Sequence, residues 1–315
     1  MGAMLNLRNT IMANSPSGGD CSNSGTIATN LATLIEDGSC SPALSGDPLL
    51  SPLGSYGGSA QTVALLPGSP AIDAGDSTTC AAQPNNNQDQ RGVVRPVGVR
   101  CDIGAFESQG FSLGSLSGTP QSAAINTAFA TPLGLIVSSA SGEPVGPGGR
   151  VILSAPASGP SITASSPFTQ TTSASGAVSQ IVTANGLVGS YSVTASSRGA
   201  TGPAVFSLTN IYPTSVTLVS SANPSTFGQN ITFTATVIGA GTPTGQVEFV
   251  IDGGAPTLVT LINGQASFST SALAVGTHAV VANYAGGQNH MPSSATLAGG
   301  QTVGMRRVYL PLISR

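Results

Sequence analysis

The sequence of 315 residues contains no Trp and no Lys. All nine positive charges are Arg, and charged residues make up 7% of the chain, where about 25% is usual for a soluble domain. Such scattered Arg in a chain of net charge −3 excludes the basic footprint of a nucleic-acid binder. No apolar run reaches the roughly 18 residues of a membrane-spanning helix. Long charged side chains and Leu are both scarce, which argues against helical bundles. Met1-Gly-Ala-Met4 lacks the apolar core of a signal peptide. In place of these are 41 Gly, 22 Pro, 43 Ser and 32 Thr. A hydrophobic share of 40% is enough to build cores, so wholesale disorder is not expected.

Composition shifts near Gly110. Residues 1–109 carry four Arg, nine acidic residues and all four Cys, while the rest carries five Arg and three acidic residues. The second part reads as strands. Ile231, Phe233, Ala235 and Val237 alternate with Thr232, Thr234 and Thr236, the period of a strand with one face buried. Val247, Phe249 and Ile251, then Val280, Ala282 and Tyr284, repeat the pattern. Asn223-Pro224, Gly241-Thr-Pro243, Asp252-Gly253-Gly254 and Asn263-Gly264 punctuate the runs as turns, the spacing of an all-β sandwich. An internal echo supports two such units. Gly189-Ser-Tyr-Ser-Val-Thr-Ala195 returns 87 residues later as Gly276-Thr-His-Ala-Val-Val-Ala282.

Residues 213–303 resemble bacterial Ig-like repeat domains through Asn223-Pro-Ser-Thr-Phe-Gly228, Ile231-Thr-Phe-Thr-Ala-Thr-Val237, Pro243-Thr-Gly245 and Gly276-Thr-His278. Residues 117–209 resemble a related module, through Ala128-Phe-Ala-Thr-Pro-Leu133 and Thr201-Gly-Pro-Ala-Val-Phe-Ser-Leu-Thr209. The first 109 residues resemble the C-terminal end of a right-handed parallel β-helix protein of the pectate-lyase-like kind. Leu5-Asn-Leu-Arg-Asn-Thr-Ile-Met-Ala-Asn14 looks like one rung. Leu66-Pro-Gly-Ser-Pro-Ala-Ile-Asp-Ala-Gly-Asp76, Asp89-Gln-Arg-Gly92, Arg95-Pro96 and Cys101-Asp-Ile-Gly-Ala-Phe-Glu107 look like the closing segment. A stack of rungs buries its core only between neighbours, so the resemblance implies the C-terminal part of a longer exported protein, or a start codon set too late.

Cys21, Cys40, Cys80 and Cys101 allow three pairings. Their spacings of 19, 40 and 21 suggest two local loops, Cys21–Cys40 and Cys80–Cys101. Zinc ligation and free buried thiols are the rival readings. One dense polar cluster comprises Asp73, Asp76, Asp89, Arg91, Arg95, Asp102 and Glu107. Asp73, Asp76, Asp89 and Asp102 are candidate ligands of a structural calcium, since a hard cation takes several carboxylate oxygens. The same residues suit turns and ion pairs, and a lyase site is a third reading. His278 is expected to be packed and hydrogen-bonded, and His290 to be solvated. Tyr191 and Tyr284 read as core, and Tyr212 as lying near a module boundary. Asn230-Ile-Thr232 matches a glycosylation pattern that is common by chance.

The sequence therefore predicts an all-β chain. A short parallel β-helix remnant with its closing segment occupies 1–109. Two tandem Ig-like β-sandwiches follow at 111–210 and 211–304, then a tail at 305–315 that acts either as a sorting signal or as a last strand. The expected role is a non-enzymatic, secreted or cell-surface structural or adhesion-type protein without a catalytic cofactor, its Ig-like modules serving as spacers. The alternative is a polysaccharide-active, lyase-like or carbohydrate-binding protein whose active rungs lie upstream. The expected partner is a cell-surface polysaccharide or protein ligand, with no nucleic acid and no membrane span.

Overall fold

In the second part of the chain the strand period decides which residues go inside. The computed structural model describes residues 4–305; the tail expected at 305–315 lies, from 306 on, outside the described residues. Strands and turns make up nearly all of it, with one five-residue helix, Ser77–Ala81, among the described residues. Two compact units are distinguished. Among the described residues, one comprises 4–121, 129–183 and 191–208, and the other 122–128, 184–190 and 209–305.

The first unit begins with a parallel sheet of Met4–Met12, Thr26–Ile35 and Leu44–Ser45. Register runs from Met4 opposite Thr26 to Met12 opposite Ile35. Asn9 and Ala32 take left-handed backbone, at φ 44° and 48°. They fall at the same level, between the pairs Arg8–Leu31 and Thr10–Thr33, so the two strands bend together. Asn visits that conformation more readily than most residues. Here the Asn9 amide accepts from Asp76 N at 2.7 Å and donates to Asp76 O at 3.1 Å. Leu7, Leu34 and Ile35 are buried. An antiparallel pair, Leu50–Gly54 with Thr62–Leu65, adds Ala64 and Leu65 to the interior.

The same unit holds sandwich strands. Arg150–Ser154 lies between Phe168–Thr171 and residues 194–196. Leu133–Ser138 lies between Ala177–Gln180 and Ser112–Ser117. Val151, Leu153, Leu133, Leu135, Val137, Val193 and Ala195 alternate inward and are buried, as antiparallel sheets with one wet face require.

In the second unit, Ile231–Gly239 lies between Thr214–Ser220 and Gln265–Thr270. Gln246–Ile251 lies between Thr257–Thr260 and Val280–Tyr284, with Ser293–Thr296 beyond. Ile231, Phe233, Ala235, Val237, Val247, Phe249, Val280, Ala282 and Tyr284 form one buried cluster, each large member contributing roughly 1.5–3 kcal/mol. Outward Thr hydroxyls pair across strands, Thr232 with Ser269 at 2.8 Å and Thr234 with Ser267 at 3.1 Å. At the hairpin tip Asn263 and Gly264 have φ of 51° and 77°, the paired left-handed residues of a tight hairpin turn.

Candidate functional site

Charged groups in a charge-poor chain gather where water is excluded. Residues 66–107 and the loop between Leu133–Ser138 and Arg150–Ser154 meet in the first unit around Arg91. Its side chain is 3% exposed. Nε donates to Asp89 Oδ2 at 2.9 Å, and Nη2 stands 2.8 Å from the same oxygen as an ion pair. Nη1 donates to Tyr56 O at 3.2 Å and lies 3.4 Å from Glu143 Oε1. Nη2 also donates to Glu107 O, and the guanidinium carbon stands 3.5 Å from the centre of the Phe106 ring. A planar fork with five donors suits this arrangement where an ammonium does not.

Each calcium candidate is engaged by donors. Asp89 Oδ1 accepts from the amides of Arg91 and Val93, and its Oδ2 from that of Glu107. Asp102 accepts from Asp73 N at 2.7 Å and from Ser108 N at 2.7 Å. Asp73 accepts from Arg100 N at 3.3 Å. Asp76 caps the short helix, accepting from Thr79 N at 2.8 Å and Thr79 Oγ1 at 2.6 Å. Among the described residues no three His, Cys, Asp or Glu side chains are grouped as a metal site. The structure thus brings Asp89, Arg91, Arg95, Asp102 and Glu107 into one network and spends their oxygens on N–H donors.

Burial, and then the neighbouring Glu107 carboxylate, push the Asp102 pKa up to about 7. Burial also raises Glu107 and Glu143, against the N–H bonds that each accepts. Thr79 holds Asp76 below its ordinary value through both of its donors. Arg95 lies 3.5 Å from Glu107 Oε2 through Nε and donates to Gly104 O at 2.9 Å through Nη2.

Glu143 is the member that sequence reasoning missed. It accepts from Ser108 Oγ at 3.1 Å and from Gln109 N at 3.0 Å, tying the chain just after Glu107 to the loop that carries Glu143. The available signal was its isolation, as the one acid between Glu107 and Glu248. The Leu66-Pro67-Gly68 turn docks at the same seam. Arg150 N donates to Pro67 O at 2.7 Å, and Gly68 N to Arg198 O at 3.0 Å. A Cβ on Gly68 would stand 2.7 Å from Arg150 O, at a φ of +84°, so only Gly allows the contact.

Cys21 is bonded to Cys40 and Cys80 to Cys101. The second bridge is buried and pins the short helix to the irregular segment that carries Asp102. A cleft of about 850 Å³ opens in the first unit, lined by Arg8, Asn9, Gln61, Asn85, Gln88 and Gln90 among others, with Ile11 and Leu53 as apolar patches.

His290 corrects its expectation of being solvated. It is 9% exposed, shares a hydrogen bond of 2.9 Å with Ala240 O and packs against Tyr212 with ring centres 5.7 Å apart. Tyr284 is core, its hydroxyl donating to Thr244 O at 2.7 Å. Tyr191 is half-buried. His278 bonds Asp252 and Ala274.

Strand-built modules with apolar inner faces and hydroxylic outer faces, one of them fixed through a buried ion network, define a modular all-β protein. Residues 218–303 match the family of bacterial Ig-like domains (group 3). No curated protein matches the chain. Among solved structures, the fibronectin(III)-like modules of Clostridium thermocellum CbhA are 13% identical, with 65% of this chain and 100% of that chain covered and a TM-score of 0.33. The Escherichia coli adhesin FdeC is 18% identical over 61% of this chain and 66% of its own, with a TM-score of 0.29. The Yersinia pseudotuberculosis adhesin InvE is 18% identical over 58% and 60%, with a TM-score of 0.23. With TM-scores this low, none of the three bears on what this chain does.

Proposed function

We propose that the chain is a non-catalytic segment of an exported bacterial surface protein, in which Ig-like modules space and display a functional part. In this reading residues 1–109 are the closing end of a right-handed parallel β-helix. The observation that carries it is the Arg91–Glu143 junction: a buried, hydrogen-bonded contact that holds the closing segment and the next sandwich in one geometry. A spacer needs such fixed joints. The parallel sheet of Met4–Met12, Thr26–Ile35 and Leu44–Ser45 and the family match at 218–303 support the same reading. Two disulfides suit an oxidising compartment. Single-molecule stretching tests the spacer role. Modules of about 90 residues release about 300 Å of contour each, in discrete steps. A single featureless extension at low force overturns the reading.

The amide-lined cleft favours carbohydrate binding as a second reading. Calcium-supplemented polygalacturonate, followed by ultraviolet absorbance of unsaturated uronate and by retention on the immobilised polymer, separates the two. Absorbance growing in proportion to protein establishes cleavage. Retention without cleavage establishes binding. Neither is expected of a spacer.

A further inference from the structure

The second unit contains a histidine whose two ring nitrogens both face fixed acceptors. His278 ends the short strand Gly276–His278. Its Nδ1 lies 2.6 Å from Asp252 Oδ2 and its Nε2 lies 2.9 Å from Ala274 O. An ionised carboxylate and a backbone carbonyl accept and do not donate. Neutral imidazole has one N–H and satisfies one of them; imidazolium has two and satisfies both. The side chain keeps 13% of its surface exposed while Asp252 keeps 51%, so the pair is held in place yet reachable by water and protons.

Asp252 is itself fixed. It takes φ +50° in the Asp252-Gly253 turn, its Oδ1 accepts from Ala279 N at 2.8 Å, and its own amide donates to Ala279 O at 2.9 Å. The acceptor therefore stays in position whichever state the ring adopts.

We propose that His278 is a proton-operated clasp: as the imidazolium it ties the Asp252 turn to the Ser271–Val275 segment, and loss of one ring proton releases that segment. Asp252 is the titratable group that faces the ring. The Ser271–Val275 segment and the paired strand Gln301–Gly304 contain no titratable side chain. In the neighbouring strands, Glu248 sits opposite Leu258 and Asn283, and Tyr284 is buried with its hydroxyl on Thr244 O.

The hydrogen bonds to Ala274 and then Asp252 raise the His278 pKa above 6.5. The bond from His278, and then that from Ala279 N, hold Asp252 below 3.8. The histidine's contribution is complete below 6.5 and is lost as pH rises through its raised folded value. Asp252's contribution is present above 3.8 and is lost as pH falls through its lowered folded value. The clasp is thus closed below the raised folded value of His278 and opens as pH rises through it.

The test is a pH titration of the full chain by NMR of the imidazole nitrogens, with His290 as the second histidine in the same spectrum. The expected result is a His278 midpoint above 6.5, with both ring nitrogens protonated below it. Amide exchange over Ala272–Gly276, corrected for its intrinsic pH dependence, rises as pH crosses that midpoint. D252N moves the midpoint back toward 6.5, and H278Q abolishes the step in exchange. A wild-type midpoint at or below 6.5 overturns the proposal without recourse to any variant, as does an unchanged exchange step in H278Q.

Discussion

Replacing Arg91 with Ala removes a guanidinium that reaches both Asp89 and Glu143, whose side chains are 0% and 1% exposed. Breaking a buried pair from one side costs about 3–5 kcal/mol, because the remaining charge is left uncompensated. Here the carboxylates keep other donors. Asp89 still accepts from the amides at 91, 93 and 107, and Glu143 from Ser108 and Gln109. The expected loss therefore lies at the lower end, about 3 kcal/mol. In a folding unit of about 200 residues each kcal/mol lowers Tm by about 2–4 °C, so calorimetry should show a drop of about 6–12 °C. Arg91→Lys should fall between, since an ammonium cannot reproduce the fork. Arg150→Ala is the control. Its partner Asp47 is 50% exposed and Arg150 itself 44%, and such pairs contribute about 0–1 kcal/mol. A shift for R91A no larger than that for R150A would refute the argument that the buried network fixes the junction.

Asp102 gives a pH dependence of unusual sign. Between its ordinary value of 3.8 and its folded value of about 7 the folded protein binds more protons than the unfolded, so stability of the first unit falls as pH rises through that window. About three units at 1.36 kcal/mol each set an upper bound of about 4 kcal/mol, and D102N should flatten the slope measured by denaturant titration from pH 4 to 8. Asp76, held below 3.8, acts oppositely and only at lower pH. Converting Cys80 and Cys101 to Ser opens a loop of 21 residues and should cost about 3 kcal/mol on the chain-entropy account, read as a lower midpoint in urea. Phe233→Ala, at a fully buried position, should cost about 3–5 kcal/mol and lower the melting transition of the second unit while leaving that of the first unchanged.

Much of the second sandwich was legible because strand period is a local property. Thr232, Thr234 and Thr236 point outward and Ile231, Phe233, Ala235 and Val237 inward, as alternation alone requires. Asn263-Gly264 announced its hairpin for a similar reason, since few other dipeptides tolerate two left-handed residues. The polar cluster of the closing segment was visible as a cluster, but its chemistry was not. The same Asp and Arg residues suit a cation or an ion-pair network, and the backbone amides that the fold places around Asp89 and Asp102 are not written in the local sequence.

The residues that join distant segments were not legible. Glu143 meets Arg91 across 52 positions and His290 meets Ala240 across 50. His278 meets Asp252 from a different strand, although each lies in a short run that looks like ordinary loop or strand. The sequence by itself determined the strand faces, the turns and the need of a few isolated charges for partners, because these follow from local backbone sterics and from the cost of burying charge. Which partner each charge received was decided only when the tertiary structure folded remote strands together, since that choice depends on long-range pairing that no local pattern encodes.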